Sequence, residues 1–470
     1  MHSSVLRAYH RLPPALRSVA ATLRGAYLRS WRYGPETERL IEDALEREQW
    51  TAARWDAWRG EQIARVLHRA ATSVPYYRRH WELRRRAGDR RAWDCLDHWP
   101  VLEKDTVRQH ARELVADGCD PRRMFHEVTS GTTGTPLDLW WPRAAVRGWY
   151  ALFEARVRRR FGVSRRDRWA MLGGQLVAPA AQRRPPFWVW NPALHQLYMS
   201  SYHLAPALVP AYIDALARYR ITHLFGYTSS LYSLALDALR QRRRDLNMAV
   251  AITNAEPVLD HQRAAIAEAF GPVCETYGQT EIVACASECR DGGLHLWPEV
   301  GALEILDDGR PVSAGRAGEV IGTSLLNPDM PLVRYRLGDH AALAADGTAC
   351  ACGRTLPRLA RIEGRSDDLL YTADGRRIGR LDPVFKSDCH LREAQIVQES
   401  LRRVRVRYVP GPGFTRADDR AIAAALRDRL GAVEVVLEPV AEIARSSRGK
   451  FRAVVCAIPE TERRLVSAHS

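Results

Sequence analysis

The chain has 470 residues, 46% of them hydrophobic and 27% charged, which excludes a wholly disordered, collagen-like or coiled-coil protein and leaves room for about three domains. A formal charge of +15 raises a nucleic-acid or anionic-membrane surface, but the basic residues are 67 arginines and three lysines, a skew that looks like codon bias and weakens charge as a signal. No uncharged apolar run reaches 18 residues, no leader pattern opens the chain, and nine scattered cysteines make no disulfide scaffold; the expectation is a cytoplasmic chain without a membrane span.

Residues 1–35 carry six arginines and no carboxylate. Val5, Leu6, Tyr9, Leu12, Leu16, Val19 and Leu23 recur at helical spacing, broken by Pro13-Pro14. A basic helix packed on the body is the favoured reading, and an interfacial helix making peripheral membrane contact is the other. Residues 36–115 read as helices rich in Arg and Trp. From about 124 strands alternate with helices: 124–129 and 137–141 as strands about a Gly/Thr loop, 221–225 and 249–254 as strands leading into helices at 231–240 and 259–270, and 273–277 as a further strand. Short strands at 301–306 and 318–326 follow, and the last hundred residues repeat a smaller strand–helix–strand mix.

Five segments carry chemistry. Thr129-Ser130-Gly131-Thr132-Thr133-Gly134-Thr135-Pro136 lets backbone approach a phosphate while hydroxyls and amides donate to it, and it lacks the Gly-Lys-Ser/Thr of a Walker loop. Tyr277-Gly278-Gln279-Thr280-Glu281 offers an aromatic face for a base and a carboxylate for Mg²⁺. Tyr335-Arg336-Leu337-Gly338-Asp339 offers a carboxylate for ribose hydroxyls, and Gly364-Arg365-Ser366-Asp367-Asp368 a cation at a polar break in the chain. Ser446-Ser447-Arg448-Gly449-Lys450 ends in one of the three lysines, the others being Lys104 and Lys386; a site that needs a compact ammonium does not accept guanidinium. Taken singly, each segment reads as an ordinary turn, strand end or surface charge.

In this order the five resemble the adenylate-forming (acyl-AMP synthetase) superfamily. The chain is most similar to its phenylacetate–CoA ligase branch, with the CapK-type proteins of polysaccharide gene clusters, through SVPYYRRH (73–80), FGYTSSLYSLA (225–235), TNAEP (253–257), CACGRTLPR (350–358) and REAQIVQE (392–399). The resemblance spans about residues 60–460. It implies an α/β fold: a large N-terminal adenylate-forming domain with layered sheets and helices, plus a small mobile α+β C-terminal domain. The boundaries it suggests are 1–115 for a helical region of the large domain, 116–365 for the AMP-binding core and 366–470 for the lid.

By the same resemblance, Thr129, Ser130, Gly131, Thr132, Thr133 and Gly134 hold the ATP phosphates, and Asn254, Ala255 and Glu256 border the adenine with Tyr277 stacked on it. Thr280 and Glu281 handle the α-phosphate and Mg²⁺, Asp339 with Arg365 beside it holds the ribose, Lys450 neutralises the attacking carboxylate, and Asp367 is the hinge. The implied activity is ATP-dependent acid activation with pyrophosphate release and transfer to CoA. Transfer to an amine or hydroxyl in capsule or exopolysaccharide synthesis, or nucleotidyl transfer, are alternatives, and a basic membrane- or nucleic-acid-binding protein with an inactive adenylation fold is the different-class reading. No zinc-finger, helix-turn-helix or RRM signature supports nucleic acid. Ala444-Arg445 and Arg336-Leu337 depart from the family's usual residues without removing a charge.

Two further features stand apart. Cys289, His295, Cys350 and Cys352 form a Cys₃His set suited to structural zinc, against which the alternative is buried cysteines packed as small hydrophobes; Cys274, Cys285 and Cys389 are assigned to the core. Trp188, Trp190, His195, Tyr198 and Tyr202 precede Tyr227 and read either as an acyl pocket or as core.

Overall fold

The computed structural model describes residues 3–129, 137–179, 181–204, 207–256, 258, 260–307, 309–345, 350–363, 370–374, 377–378, 384, 390–411, 413–441, 443 and 454–459. The chain opens on α1 (Ser3–Arg11) and α2 (Pro14–Arg32). Pro14 is the first residue of α2, where a missing amide costs no helical hydrogen bond. The favoured packing of this segment is observed. A Cβ on Gly25 would fall 2.2 Å from the Asn191 amide, so the helix meets the strand Trp188–Asn191 at backbone distance. Arg17 and Trp31 are buried on the same docking, and Arg143 donates to the Ser30 carbonyl at 2.7 Å. Helices Thr37–Arg47, Ala52–Ser73 and Pro75–Arg86 follow.

A 13-stranded sheet forms the body. One half is parallel: Gln196–Ser200, Trp169–Gly173, His223–Tyr227, Val250–Asn254 and Val273–Gly278 lie side by side, with Trp188–Asn191 added antiparallel at the edge. The other half is antiparallel, and Val273–Gly278 is the seam, parallel to one neighbour and antiparallel to Cys285–Glu288. Buried strands with helices on both faces read as continuous apolar runs, and Val250–Asn254 is one. Its Ala251 packs with helices Thr228–Arg240 and Asp260–Phe270 on one face, while Val250 and Ile252 pack with Arg143–Phe153 and Thr37–Arg47 on the other.

The carboxy-terminal part has its own four-stranded sheet, ordered Glu434–Pro439, Arg403–Pro410, Leu391–Ser400, Val454–Cys456, with the helix Arg416–Leu430 packed on it. Thr415 and Asp418 close a capping box at that helix's start. Leu176 and Tyr202 of the large body join the same apolar cluster, and Arg429 donates from the helix to the Tyr202 hydroxyl at 3.2 Å.

Candidate functional site

The carboxyl ends of parallel strands are where open α/β sheets bind ligands. Here Tyr227, Asn254 and Tyr277-Gly278 end three adjacent parallel strands at the seam. The backbone is strained just past two of them. Ala255 has φ 67° and Ile282 has φ 47°, a left-handed conformation that a β-branched residue rarely adopts. Asn254 keeps its buried Oδ1 without a hydrogen-bond partner among the described residues. Thr228 donates to the Glu256 carbonyl at 3.1 Å, tying the Asn254–Glu256 turn to the start of the preceding helix, Thr228–Arg240.

The seam brings the antiparallel half against these ends. Tyr277 donates its hydroxyl to Asp339 Oδ2 at 2.9 Å, so the candidate adenine and ribose residues are in direct contact across 62 positions of sequence. Glu281 is buried at 7% exposure and accepts from the Tyr335 hydroxyl at 2.8 Å. Lys104 places its ammonium 3.5 Å from the same Glu281 oxygen. Lys104 opens the helix Lys104–Gln109, and the preceding Leu102 exchanges backbone hydrogen bonds with Arg334 and Arg336 at 2.9 and 3.1 Å, which pins that helix start to the Tyr335–Leu343 strand. Arg336 adds an ion pair to Glu103 at 2.9 Å.

Thr129 closes the hairpin of Phe125–Val128 and Asp138–Trp141 at the foot of the Gly/Thr loop. Its amide donates to Leu137 O and its Oγ1 accepts from Leu137 N–H, both at 2.9 Å. Thr280 is half-buried beside Glu281. Ser130, Gly131, Thr132, Thr133, Gly134, Arg365, Asp367, Cys389 and Lys450 lie outside the described residues. The structure therefore gathers Thr280, Glu281, Tyr277, Asp339, Asn254, Ala255 and Glu256 around the seam. It adds Lys104 and Tyr335 as partners of Glu281, a pairing the sequence reading did not make. The rarity of lysine was the signal that singled out Lys104.

The aromatic segment divides. Trp188 meets Tyr212 edge-on and Trp190 meets Tyr219 at a tilt, both half-buried against the core, while His195 turns between strands at φ 51°. Tyr198, Tyr202 and Tyr227 converge on Gly173-Gly174. A Cβ on Gly173 would lie 2.2 Å from the Tyr198 hydroxyl, and one on Gly174 would lie 3.0 Å from that of Tyr227 and 3.2 Å from that of Tyr202. Burial pushes the Tyr198 phenol well above its ordinary value, so it stays a neutral donor.

The Cys₃His set also comes together. The ligand atoms of Cys289, His295, Cys350 and Cys352 all lie within 4.8 Å of one another. Cys289 and Cys350 sulfurs are 3.6 Å apart, and Cys352 Sγ is 3.2 Å from His295 Nε2. Zn–S bonds of ~2.3 Å at the tetrahedral angle set two sulfurs about 3.8 Å apart, so the spacing fits that ion. His295 directs Nδ1 at the Leu356 carbonyl, 3.3 Å away, which fixes the tautomer that leaves Nε2 free for the cluster. Burial, reinforced by Arg354, pushes His295 down to about 4, so the imidazole is neutral as a ligand must be. Burial acts to raise the Cys350 thiol, but hydrogen bonds from Cys352 and Cys289 bring it below the usual thiol value. A Cβ on Gly293 would stand 2.8 Å from Cys350 Sγ, so glycine is required where the turn meets the cluster. Cys274 and Cys285 are ordinary core thiols, as expected; burial pushes Cys285 up to about 12.

The CapK C-terminal domain family matches residues 370–457. The chain is 24% identical over 286 residues to Protein CapK of Staphylococcus aureus, covering 59% of this chain and 61% of that one. It is 30% identical over 243 residues to the phenylacetate-coenzyme A ligase of Thermus thermophilus, covering 45% and 54%. The matches thus span less than two thirds of the length of these curated relatives. Among solved structures, a 2-hydroxyisobutyryl-CoA ligase in complex with 2-HIB-AMP and CoA shares the fold, with a TM-score of 0.56 at 22% identity over 90% of this chain and 94% of that one.

Proposed function

We propose that the chain is an adenylate-forming enzyme of the phenylacetate–CoA ligase and CapK branch, which condenses a carboxylic acid with ATP to an acyl-adenylate, releases pyrophosphate, and passes the acyl group to CoA; the similarity to Protein CapK and to phenylacetate-coenzyme A ligase supports this reading. The observation that carries this reading is the seam itself. A buried carboxylate (Glu281) held by Tyr335 and Lys104 stands on the same rim as the Tyr277–Asp339 pair and the strained Asn254–Ala255 turn. Glu281 would hold Mg²⁺, which screens the phosphate charge when bound. Asp339 would take the ribose hydroxyls, and the Gly/Thr loop above Thr129 the β- and γ-phosphates. Lys450 would sit between the acid and the α-phosphate, so that catalysis is positioning plus charge stabilisation without a covalent enzyme intermediate. Tyr198 and Tyr227 would line the acid's end of the cleft, where their hydroxyls can orient a polar or aromatic acid, while Tyr202, whose hydroxyl donates to the Gly174 carbonyl at 2.8 Å, would hold the wall behind them.

The match of residues 370–457 to the CapK C-terminal domain favours a second acceptor, an amine or hydroxyl in place of CoA. A pyrophosphate-release screen over aryl, amino and uronic acids, run with and without CoA, tests both readings. Release that needs an acid and yields a thioester supports the first, and release with an acid that never consumes CoA supports the second. Absence of release with every acid would defeat both.

We further propose that Cys289, His295, Cys350 and Cys352 hold one zinc in a closed structural site. Its support is the sulfur spacing and the oriented His295. Elemental analysis near one zinc per chain is expected, and a metal-free chain with unchanged melting would defeat it.

A further inference from the structure

We propose that the outer face of α2 docks on an anionic lipid bilayer. Among the described residues, six large apolar side chains stand exposed, and five of them lie on the first two helices: Val5 at 52%, Leu16 at 49%, Val19 at 54%, Leu23 at 69% and Tyr27 at 47%. On α2, at 100° per residue, Leu16, Val19, Leu23 and Tyr27 fall within about 80° of arc. That arc is opposite to Gly25, the point where the helix meets Asn191. The helix therefore has two apolar faces. One is spent on the body, and the other stands about half-exposed or more, with Tyr27 edge-on to the buried Trp31.

The charge around the second face selects its occupant. Exposed Arg24 flanks the stripe on one side, exposed Arg29 lies further round the helix on the other, and Arg7 and Arg11 stand exposed on α1. Residues 1–35 contain no Asp or Glu. The loop that α1 and α2 pack upon is equally free of acid. Tyr9 donates to the Val177 carbonyl at 3.1 Å, His10 contacts the Leu176 carbonyl at 2.8 Å, and Arg17 donates to Gln182 at 3.0 Å, next to Arg183 and Arg184. From residue 168 to residue 213 the sequence again has no carboxylate. The two segments together make a basic apron around an aliphatic stripe, the pattern of a helix that lies in the headgroup layer.

A second copy of the chain fits this face poorly. A two-fold contact sets a patch against itself, so arginine would meet arginine. A stripe of four side chains is also far below the ~20–30 residues a side of a stable interface. A nucleic-acid backbone would use the arginines and leave the leucines in water. An anionic bilayer satisfies both, with the arginines at the phosphates and the aliphatic tips below them.

The test uses the full chain, because α2 packs on the body and its deletion would disturb the fold. The chain is sedimented with vesicles of phosphatidylcholine alone and of phosphatidylcholine with a third phosphatidylglycerol. Salt is set at ~0.1 M and at ~1 M, where screening shrinks from about 10 Å to about 3 Å. Binding to the phosphatidylglycerol vesicles at low salt, largely lost at high salt, is expected. Leu23→Glu should weaken it by about tenfold or more with no change in melting temperature. Arg24→Glu and Arg29→Glu should each weaken it about fivefold or more. Failure to bind the anionic vesicles at low salt overturns the proposal, as does full retention of binding by Leu23→Glu. If light scattering finds a dimer that Leu23→Glu converts to monomer, the face belongs to a second copy and the lipid assignment is wrong. Should Leu23→Glu lower the melting temperature, Arg29→Glu decides, since it changes an exposed charge alone, whereas Arg24 stands 5.0 Å over the Tyr27 ring. These readouts are independent of pyrophosphate release, so the proposal stands or falls apart from the adenylation reading.

Discussion

Lys104→Met removes a charge from the candidate centre while keeping the apolar stem. Lys104 Nζ lies 3.5 Å from Glu281 Oε1, with the two side chains 19% and 8% exposed. At an effective dielectric of ~20, opposite unit charges at that distance attract by about 4–5 kcal/mol before desolvation is subtracted. Breaking a fully buried pair costs about 3–5 kcal/mol; Lys104 is partly solvated, so a net loss of roughly 2–3 kcal/mol is expected. The loss should depend on what else reaches Glu281. If the carboxylate receives Mg²⁺ with ATP, the ion replaces the lost ammonium, and Mg-ATP should raise the melting temperature more in the variant than in the parent. A double-mutant cycle with Glu281→Gln, read by denaturant unfolding, should return a coupling of about 2 kcal/mol without nucleotide and a smaller one with it. A coupling under about 0.5 kcal/mol, or identical Mg-ATP shifts in parent and variant, would refute the assignment of Lys104 as the resident cation at this carboxylate.

Other outcomes follow from the proposed centre. Lys450→Ala should lower acyl-adenylate formation by about 10²–10³-fold while ATP binding changes far less, and wild-type rates would remove Lys450 from the chemistry. Asp367→Pro should spare adenylation and block transfer, since proline fixes φ at a residue proposed to rotate; equal damage to both half-reactions, followed separately by pyrophosphate release and thioester formation, would argue against a rotating lid. Cys350→Ser or Cys352→Ser should abolish zinc retention and lower the melting temperature. The drop is expected because the 350–357 loop also anchors Thr355 N–H on the Glu48 carbonyl at 3.0 Å and Arg354 on the buried Glu48 carboxylate at 3.5 Å; unchanged melting would leave the four residues as plain core.

Elements whose faces differ in burial were legible in the sequence. The parallel strands 250–254 and 273–278 and their covering helices fall within a few residues of expectation, because each carries an apolar run closed by a turn. The strands Trp169–Gly173, Trp188–Asn191 and Gln196–Ser200 were not legible. α2 covers Trp188–Asn191 from outside, so both of its faces are apolar and no alternation marks it, and His195 forms the intervening turn without glycine. The Cys₃His cluster was half legible. Each Cys or His pair sits on a local turn that spacing reveals. Their meeting depends on the register of Leu294–Leu296 against Arg358–Glu363, with His295 opposite Arg358, and a gap of tens of residues carries no trace of that register.

The same reasoning explains why the candidate centre looks weak piece by piece and specific as a set. Tyr277 and Glu281 leave the last parallel strand, while Tyr335 and Asp339 ride an antiparallel one, and the 62 positions between Tyr277 and Asp339 are spent crossing from one half-sheet to the other. A parallel half supplies strand ends that open on a common rim. An antiparallel half supplies side chains that can be laid across that rim at a chosen register. Only where the two join does a buried carboxylate meet a hydroxyl and an ammonium from separate parts of the chain. Left-handed backbone at Ala255 and Ile282 costs of order 1–3 kcal/mol each; at Ala255 it is held by the strand Val250–Asn254 and the Thr228–Glu256 hydrogen bond, and at Ile282 by the strands Val273–Gly278 and Cys285–Glu288 on either side. Relaxing Ile282 to glycine would relieve the strain and loosen Glu281 at once, which is the physical reason a stable protein would keep a β-branched residue in so poor a conformation.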